Sequence, residues 1–278
     1  EGKLYALRDV TGTVENLSLI AASIMSKKIA AGADAILLDV KLGKGAFIQE
    51  REAAFQLAET MFRIGNEMGR QVVSVVTNMN QPLGFAVGNA LEVKEALSVL
   101  SGEGPADLEQ LSLLLGGYLL TLVDKVRNQD EGEQELARLL KSGAGLAKFK
   151  ELVASQGGDT AYCDHPALFP STKYRQKMTA PRAGYLREIH AGKIGQVAAM
   201  LGAGRFYKEQ QIDPAAGIVL SHKVGDFVAE GETLACLHGN DKNIIEEALK
   251  GLNSAFAIGE ERPEDLPLVY GVVPPFPC

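Results

Sequence analysis

The sequence predicts an α/β fold: a parallel-sheet α/β domain, incomplete, with accompanying helices, followed by a small α+β C-terminal domain with sandwich-like strands. Three observations carry this. Two short, unalternated apolar runs at residues 35–40 and 71–76 flank a long amphipathic stretch at 49–68. Brief apolar runs of this kind mark fully buried strands, and strand–helix–strand order is the grammar of a parallel sheet. Residues 90–158 then read as helical almost throughout, and after about residue 156 glycines and prolines give way to short β-rich runs.

Each element follows from local chemistry. Residues 18–31 suit a helix, with Ser18 as its N-cap and Gly32 as its C-terminal stop. The strand at 35–40 leads into a glycine loop at 41–47, the helix at 49–68 into a second strand at 71–76, and a polar loop at 77–84 closes it. Three helical segments follow near 90–99, 106–127 and 131–155, with Gly104 and Pro105 between the first two and a polar turn or cap at 128–134. Beyond Lys173, strands at both ends of 174–189 enclose a turn at 180–184. A short helix falls at 194–201, glycine turns separate strands at 217–237, and a helix near 240–250 precedes a last strand near 253–258.

The expected division is a partial α/β domain at 1–158, a linker at 159–176 and a C-terminal α+β domain at 177–278. At 278 residues the chain suits two domains. Its first residues, Glu1-Gly2-Lys3-Leu4-Tyr5, read as a chain cut from something longer.

Composition narrows the function classes. A net charge of −7 argues against a duplex-binding surface, so no nucleic-acid partner is expected. No apolar run reaches the roughly 18 residues a spanning helix needs, so no membrane partner is expected. Cys163, Cys236 and Cys278 are odd in number and far apart, which suits a reducing cytoplasm and neither a disulfide framework nor a zinc site. His165, His190, His222 and His238 lack zinc-like spacing. Gly-x-Ser-x-Gly and Cys-x-x-Cys patterns are missing, and the turn at 224–232 resembles biotinyl-type sandwiches without their modifiable lysine triplet.

Three groups of residues could carry chemistry. Ser23 and Lys27 stand at i and i+4 on the first helix and share a face, to which Arg8 could fold back. Donors of this kind suit a carbonyl-rich planar ligand or a leaving group that becomes anionic; a solvated lysine pair and a capping serine is the plainer alternative. The Gly43-Lys44-Gly45 loop is either an anion cradle or a tight strand-to-helix turn. Glu92 and Glu95, at a helix start, could complete an oxygen-rich cation site with carbonyls of the 77–86 loop, or simply favour the helix terminus. Tyr5, Tyr118 and Phe47 read as core or pocket walls.

Several ordered stretches resemble the thymidine phosphorylase and pyrimidine-nucleoside phosphorylase family. They are Tyr5-Ala6-Leu7-Arg8-Asp9-Val10-Thr11-Gly12-Thr13-Val14, Ala22-Ser23-Ile24-Met25-Ser26-Lys27-Lys28, and Asp39-Val40-Lys41-Leu42-Gly43-Lys44-Gly45-Ala46-Phe47. To these add Thr77-Asn78-Met79-Asn80-Gln81-Pro82-Leu83-Gly84, Gly88-Asn89-Ala90-Leu91-Glu92-Val93, and about 177–259 as a final domain. The resemblance implies phosphorolysis of a pyrimidine nucleoside to a free base and a pentose 1-phosphate, with phosphate as co-substrate and no organic cofactor. It implies that Arg8 and Lys27 are catalytic and that Tyr5, Arg8, Ser23 and Lys27 bind the pyrimidine. It implies a potassium ion on the carbonyls of Leu83 and Ala86 and the side chain of Glu95, and a cytoplasmic homodimer in the full-length family. The family's glycine-rich phosphate-binding segment has no counterpart here, so the chain is expected to supply the base half of the site. The rival expectation is a non-catalytic base-binding or interaction domain that needs a separate N-terminal segment.

Overall fold

The computed structural model describes residues 16–205, 207 and 210–274. Tyr5, Arg8 and Cys278 lie outside the described residues. The chain forms two compact units: Glu1–Met79 with Leu111–Leu136 and Pro267–Cys278, and Asn80–Gln110 with Ala137–Leu266. Among the described residues, no helix is long and apolar enough to cross a membrane.

The first unit contains the predicted α/β layer. Helix α1 (Leu17–Ala30) precedes strand β1 (Ala35–Leu42), helix α2 (Arg51–Glu67) and strand β2 (Gln71–Asn78). The N-cap of α1 is Asn16 rather than Ser18: its Oδ1 accepts from the Leu19 amide at 3.1 Å, so the cap stands two residues earlier than expected. β1 and β2 pair in parallel from Ala35↔Gln71 to Leu42↔Asn78. β2 is buried at six consecutive positions, as a strand covered on both faces should be. Ala21 and Met25 of α1 and Ala54, Leu57, Ala58 and Met61 of α2 form the core with Ile36, Leu38 and Val40. Gly65 lets α2 lie close to β2, since a Cβ there would come within 2.1 Å of a Val72 methyl.

A strand the sequence does not predict completes this sheet. β10 (Val269–Val273) runs antiparallel to β2 and gives the order β1-β2-β10. Two helices cross closely in the same unit. Within α4 (Ala106–Leu122) and α5 (Gln129–Lys141), Gly117 meets Gly132 so tightly that a Cβ on Gly132 would lie 2.7 Å from the Gly117 Cα. Of the two readings of 128–134 the cap holds: Asn128 Oδ1 accepts from the Glu131 amide at 2.9 Å, and α5 starts at once behind it. The helix expected at 131–155 is interrupted at Gly143, with φ +77°, and α6 (Ala144–Ser155) begins beyond it.

The second unit holds α3 (Asn89–Leu100), α6, a short helix α7 (Ala161–Asp164) and two small antiparallel sheets. One joins β3 (Ala86–Val87), β6 (Gly217–Leu220), β8 (Thr233–Gly239) and β4 (Tyr174–Thr179) in the order β3-β6-β8-β4. The other joins β7 (Phe227–Val228), β5 (Gly184–Ile189) and β9 (Phe256–Gly259) in the order β7-β5-β9. The turn at 180–184 therefore carries the chain from one sheet to the other. Helices α8 (Ala191–Ala198) and α9 (Lys242–Asn253) close a core of Leu186, Ile194, Ile218, Leu237 and Leu252. β3 reaches β6 through Gly88 and Gly217: a Cβ on Gly217 would stand 2.2 Å from the Val87 carbonyl oxygen.

Candidate active site

The first unit carries one of the predicted groups. On α1, the buried positions Ala21 and Met25 face α2 and β1. At 100° per residue, Ser23 and Lys27 fall on the opposite side of the helix. Ser23 is half-buried and Lys27 exposed. Ile20, three residues before Ser23 and seven before Lys27, shares their side, and it lines a cleft of about 370 Å³ with Leu17, Phe47, Ile48 and Ala53. Phe47 is 92% exposed, which makes it a wall of this cleft and excludes it from the core. Ser23 and Lys27 do not line the cleft themselves; they share with Ile20 the side of α1 that faces away from the core.

The glycine loop after β1 is a turn. The Gly43 amide donates to the Ile48 carbonyl at 3.1 Å, that of Gly45 to Met79 at 2.8 Å, and that of Ala46 to Gly43 at 2.9 Å. These three donors are committed within the chain, so they are not directed at an anion. At the carboxyl ends of the parallel strands lies a polar trio that the sequence does not single out. Thr77, fully buried, donates its hydroxyl to Asp39 Oδ1 at 2.5 Å, and Lys41 Nζ stands 2.7 Å from Asp39 Oδ2. Asp39 and Thr77 are 38 residues apart, so no local pattern could reveal the pairing.

The second unit brings Glu95 to the amides of Phe85 and Ala86. Glu95 Oε1 accepts from the amides of Phe85 at 2.8 Å and Ala86 at 3.0 Å. Gly84, with φ +66°, makes room for this carboxylate: a Cβ there would lie 2.3 Å from Oε2. Burial pushes the Glu95 carboxyl above its ordinary range. The Phe85 and Ala86 amides and the Lys223 ammonium pull it back, and the Asp107 carboxylate adds to the rise. Glu92 has the plainer role: its carboxylate accepts from the Gly88 amide at 2.9 Å and closes the helix start.

Lys223 is the residue that sequence reasoning misses here. Its ammonium stands 2.7 Å from Asp107 Oδ2, donates to the carbonyls of Pro82 at 2.7 Å and of Gly84, and lies 5.0 Å from the centre of the Phe85 ring. Among the described residues no group of three or more His, Cys, Asp or Glu side chains could hold a metal ion. A cation at Leu83, Ala86 and Glu95 would therefore rest mainly on carbonyl oxygens and a single carboxylate. That all-oxygen donor set fits a hard, weakly held ion.

Residues 1–146 match the glycosyl transferase family, a/b domain, and residues 185–259 match the pyrimidine nucleoside phosphorylase C-terminal domain. The chain belongs to the pyrimidine-nucleoside phosphorylase family. Pyrimidine-nucleoside phosphorylase of Bacillus subtilis (strain 168) is 53% identical over 248 residues, covering 89% of this chain and 57% of the relative. The protein of the same name from Staphylococcus aureus (strain USA300) is 49% identical over 258 residues, covering 93% and 59%. The chain thus spans less than two thirds of the length of these relatives. Both family matches fit the architecture: the first includes the whole β1–α2–β2 unit, and the second runs from β5 through β9.

Proposed function

We propose that this chain supplies the base-binding half of a pyrimidine-nucleoside phosphorylase. The reaction joins a pyrimidine nucleoside and phosphate and releases the free base and a ribose or deoxyribose 1-phosphate. The observation that carries the reading is the shared side of α1, where Ile20, Ser23 and Lys27 combine an apolar wall with a hydroxyl and an ammonium. A flat pyrimidine has this character: apolar faces, and carbonyl and imide edges. Tyr5 and Arg8, outside the described residues, are proposed to complete the base contacts.

The chemistry follows from where charge develops. Phosphate forms a bond to the sugar C1′ as the bond from C1′ to the base nitrogen breaks, and the electron pair leaves with the base. Negative charge grows on the pyrimidine carbonyls while the sugar gains oxocarbenium character. Arg8 and Lys27 stabilise the departing base more strongly in the transition state than in the bound nucleoside, which is the condition for faster turnover. Ser23 orients the ring by hydrogen bonding. No side chain acts as nucleophile, since phosphate attacks. Potassium on Leu83, Ala86 and Glu95 would brace the 81–86 loop, and a cytoplasmic homodimer is the proposed state of the full-length enzyme.

The test is phosphorolysis of uridine and thymidine by the purified chain, with and without the family's N-terminal segment supplied in trans. Turnover is expected only with that segment, and calorimetric uracil and thymine binding is read alongside. Lys27→Ala is expected to lower kcat/KM by about 10²–10³-fold, the scale of losing one transition-state donor. Base binding that weakens in Ser23→Ala and Lys27→Ala, with no turnover even when the N-terminal segment is supplied, would favour the non-catalytic reading. Base binding unaffected by either substitution would overturn both.

A further inference from the structure

We propose that the β3-β6-β8-β4 sheet carries, on the face turned away from its core, a binding site for a small phosphate-type dianion. Arg175, Lys177 and Lys94 supply its charge, and the His238 imidazole supplies a buried donor.

Strand pairing brings these groups together. β4 and β8 run antiparallel with Arg175 opposite His238 and Lys177 opposite Cys236. Directly opposed residues share a face, as do residues two apart on one strand. Met178, Ala235 and Leu237 take the other face and lie in the core. One face therefore presents Arg175, Lys177, Cys236 and His238. Helix α3 leans over it from the β6 side: Gly217 stands opposite His238, and a Cβ on Gly217 would lie 2.9 Å from a Leu91 methyl. Lys94 follows Leu91 by three residues, on the same side of α3. Its ammonium stands 5.7 Å from the centre of the Phe169 ring, and its charge reaches His238.

The imidazole is the group that lacks a partner. His238 is only 9% exposed, and its ring nitrogens make no hydrogen bond among the described residues. A buried donor left unpaired is costly. The charges that act on it, those of Arg175 and Lys94, are both positive and, with burial, oppose its protonation. Arg175 and Lys177 are exposed, and neither makes an ion pair among the described residues. Cations on an edge strand also deter edge-to-edge pairing. That role asks for neither a buried imidazole on β8 nor a lysine on α3.

A tetrahedral dianion answers these needs together. Its oxygens accept from the Arg175 guanidinium and the His238 N–H at once, and its charge offsets the excess of cations. The chain's net charge of −7 opposes a long polyanion, which keeps the ligand small. Inorganic phosphate and a sugar phosphate share this chemistry.

Imidazole NMR of the full chain reads the site directly, with His238 assigned by correlation to its backbone. Sodium phosphate would be titrated against sodium chloride at constant ionic strength, with ribose 5-phosphate in a parallel series. The His238 resonance is expected to move saturably with either phosphate and not with chloride. Its titration midpoint should rise by at least about half a pH unit. Tighter binding of ribose 5-phosphate identifies a sugar phosphate as the ligand, and tighter binding of phosphate identifies the free ion; both support the site. Arg175→Gln should weaken binding about tenfold, the scale of one charge-assisted hydrogen bond. Lys250→Gln, which removes an equal charge from an exposed position of α9, on the core side of the sheet, should leave binding unchanged. A His238 resonance that answers phosphate and chloride alike overturns the inference, as do equal losses in the two variants. Should Arg175→Gln fail to fold, Lys177→Gln reads the same face: weaker phosphate binding is expected, and unchanged binding overturns the inference.

Discussion

Gly84 and Glu95 contend for one volume: the position a Cβ would take on Gly84 lies 2.3 Å from Glu95 Oε2. Gly84 also holds φ +66°, where side chains are strained. Gly84→Ala therefore forces the carboxylate off the Phe85 and Ala86 amides. The expected result is a loss of about 1–3 kcal/mol in urea unfolding, together with a smaller potassium-dependent rise in Tm. Substitution of exposed Gly32, with φ +79° and nothing within 4 Å of its Cβ position, supplies the comparison. It carries the strain alone, so Gly32→Ala should cost less and leave the potassium response intact. Equal losses at the two sites would refute the steric account.

Helix glycines divide into two classes here, and the sign of Gly→Ala should follow. At the crossing of α4 and α5, Gly132 meets Gly117 backbone atoms 2.7–3.2 Å from its Cβ position, and Gly117 meets the Gln129 carbonyl at 2.6 Å. Gly195 in α8 meets nothing within 4 Å. Gly132→Ala should destabilise by about 1–3 kcal/mol through overpacking, while Gly195→Ala should stabilise by about 0.5–1 kcal/mol through helix propensity. Chemical denaturation of the two variants checks this, and stabilisation by Gly132→Ala would sink the crossing.

What could be read in advance was what is local. β1, α2 and β2 are legible because their burial follows directly from short apolar runs and one amphipathic period. β10 was not: Val269–Val273 is only partly buried at every position, and its partner β2 lies about 190 residues earlier, so its pairing is purely tertiary. The break at Gly143 carried a local signal, the Ser142-Gly143 pair and Gly145, which the helix formers farther out on both sides outweighed. At the candidate site, the i, i+4 spacing of Ser23 and Lys27 was visible, Glu92 and Glu95 stood out at a helix start, and the resemblance favoured Glu95 of the two. Lys223 did not stand out, since it contacts carbonyls 139 and 141 residues away and its own neighbourhood reads as a plain turn. Backbone amides decided the glycine loop, and no residue pattern reports where an amide points.

Thr77 and Asp39 join the carboxyl ends of the two parallel strands through a single hydroxyl. Thr77→Val keeps the volume and deletes the donor to a carboxylate, and should cost about 1.5–3 kcal/mol. Thr77→Ser keeps the donor, gives up one methyl group, and should cost about 0.5–1.5 kcal/mol. Equilibrium unfolding of both variants ranks them, and a smaller loss for valine than for serine would mean the hydroxyl contributes little.

His238 gives the fold a predictable acid sensitivity. It is 9% exposed, and burial holds its imidazole below the ordinary histidine range, with the charges of Arg175 and Lys94 pushing the same way. A histidine depressed in the native state binds its proton more readily when unfolded. Its contribution to stability is therefore complete above the unfolded value of about 6.5 and declines as pH falls from there toward the native pKa. Unfolding free energy should drop on acidification through this window. His238→Gln, which cannot titrate, should show a shallower slope there, while Arg175→Gln, which lifts part of the depression, should shift the decline of the wild-type histidine to a narrower range. Identical pH slopes in wild type and His238→Gln between pH 5 and about 6.5 would show that another group governs the transition.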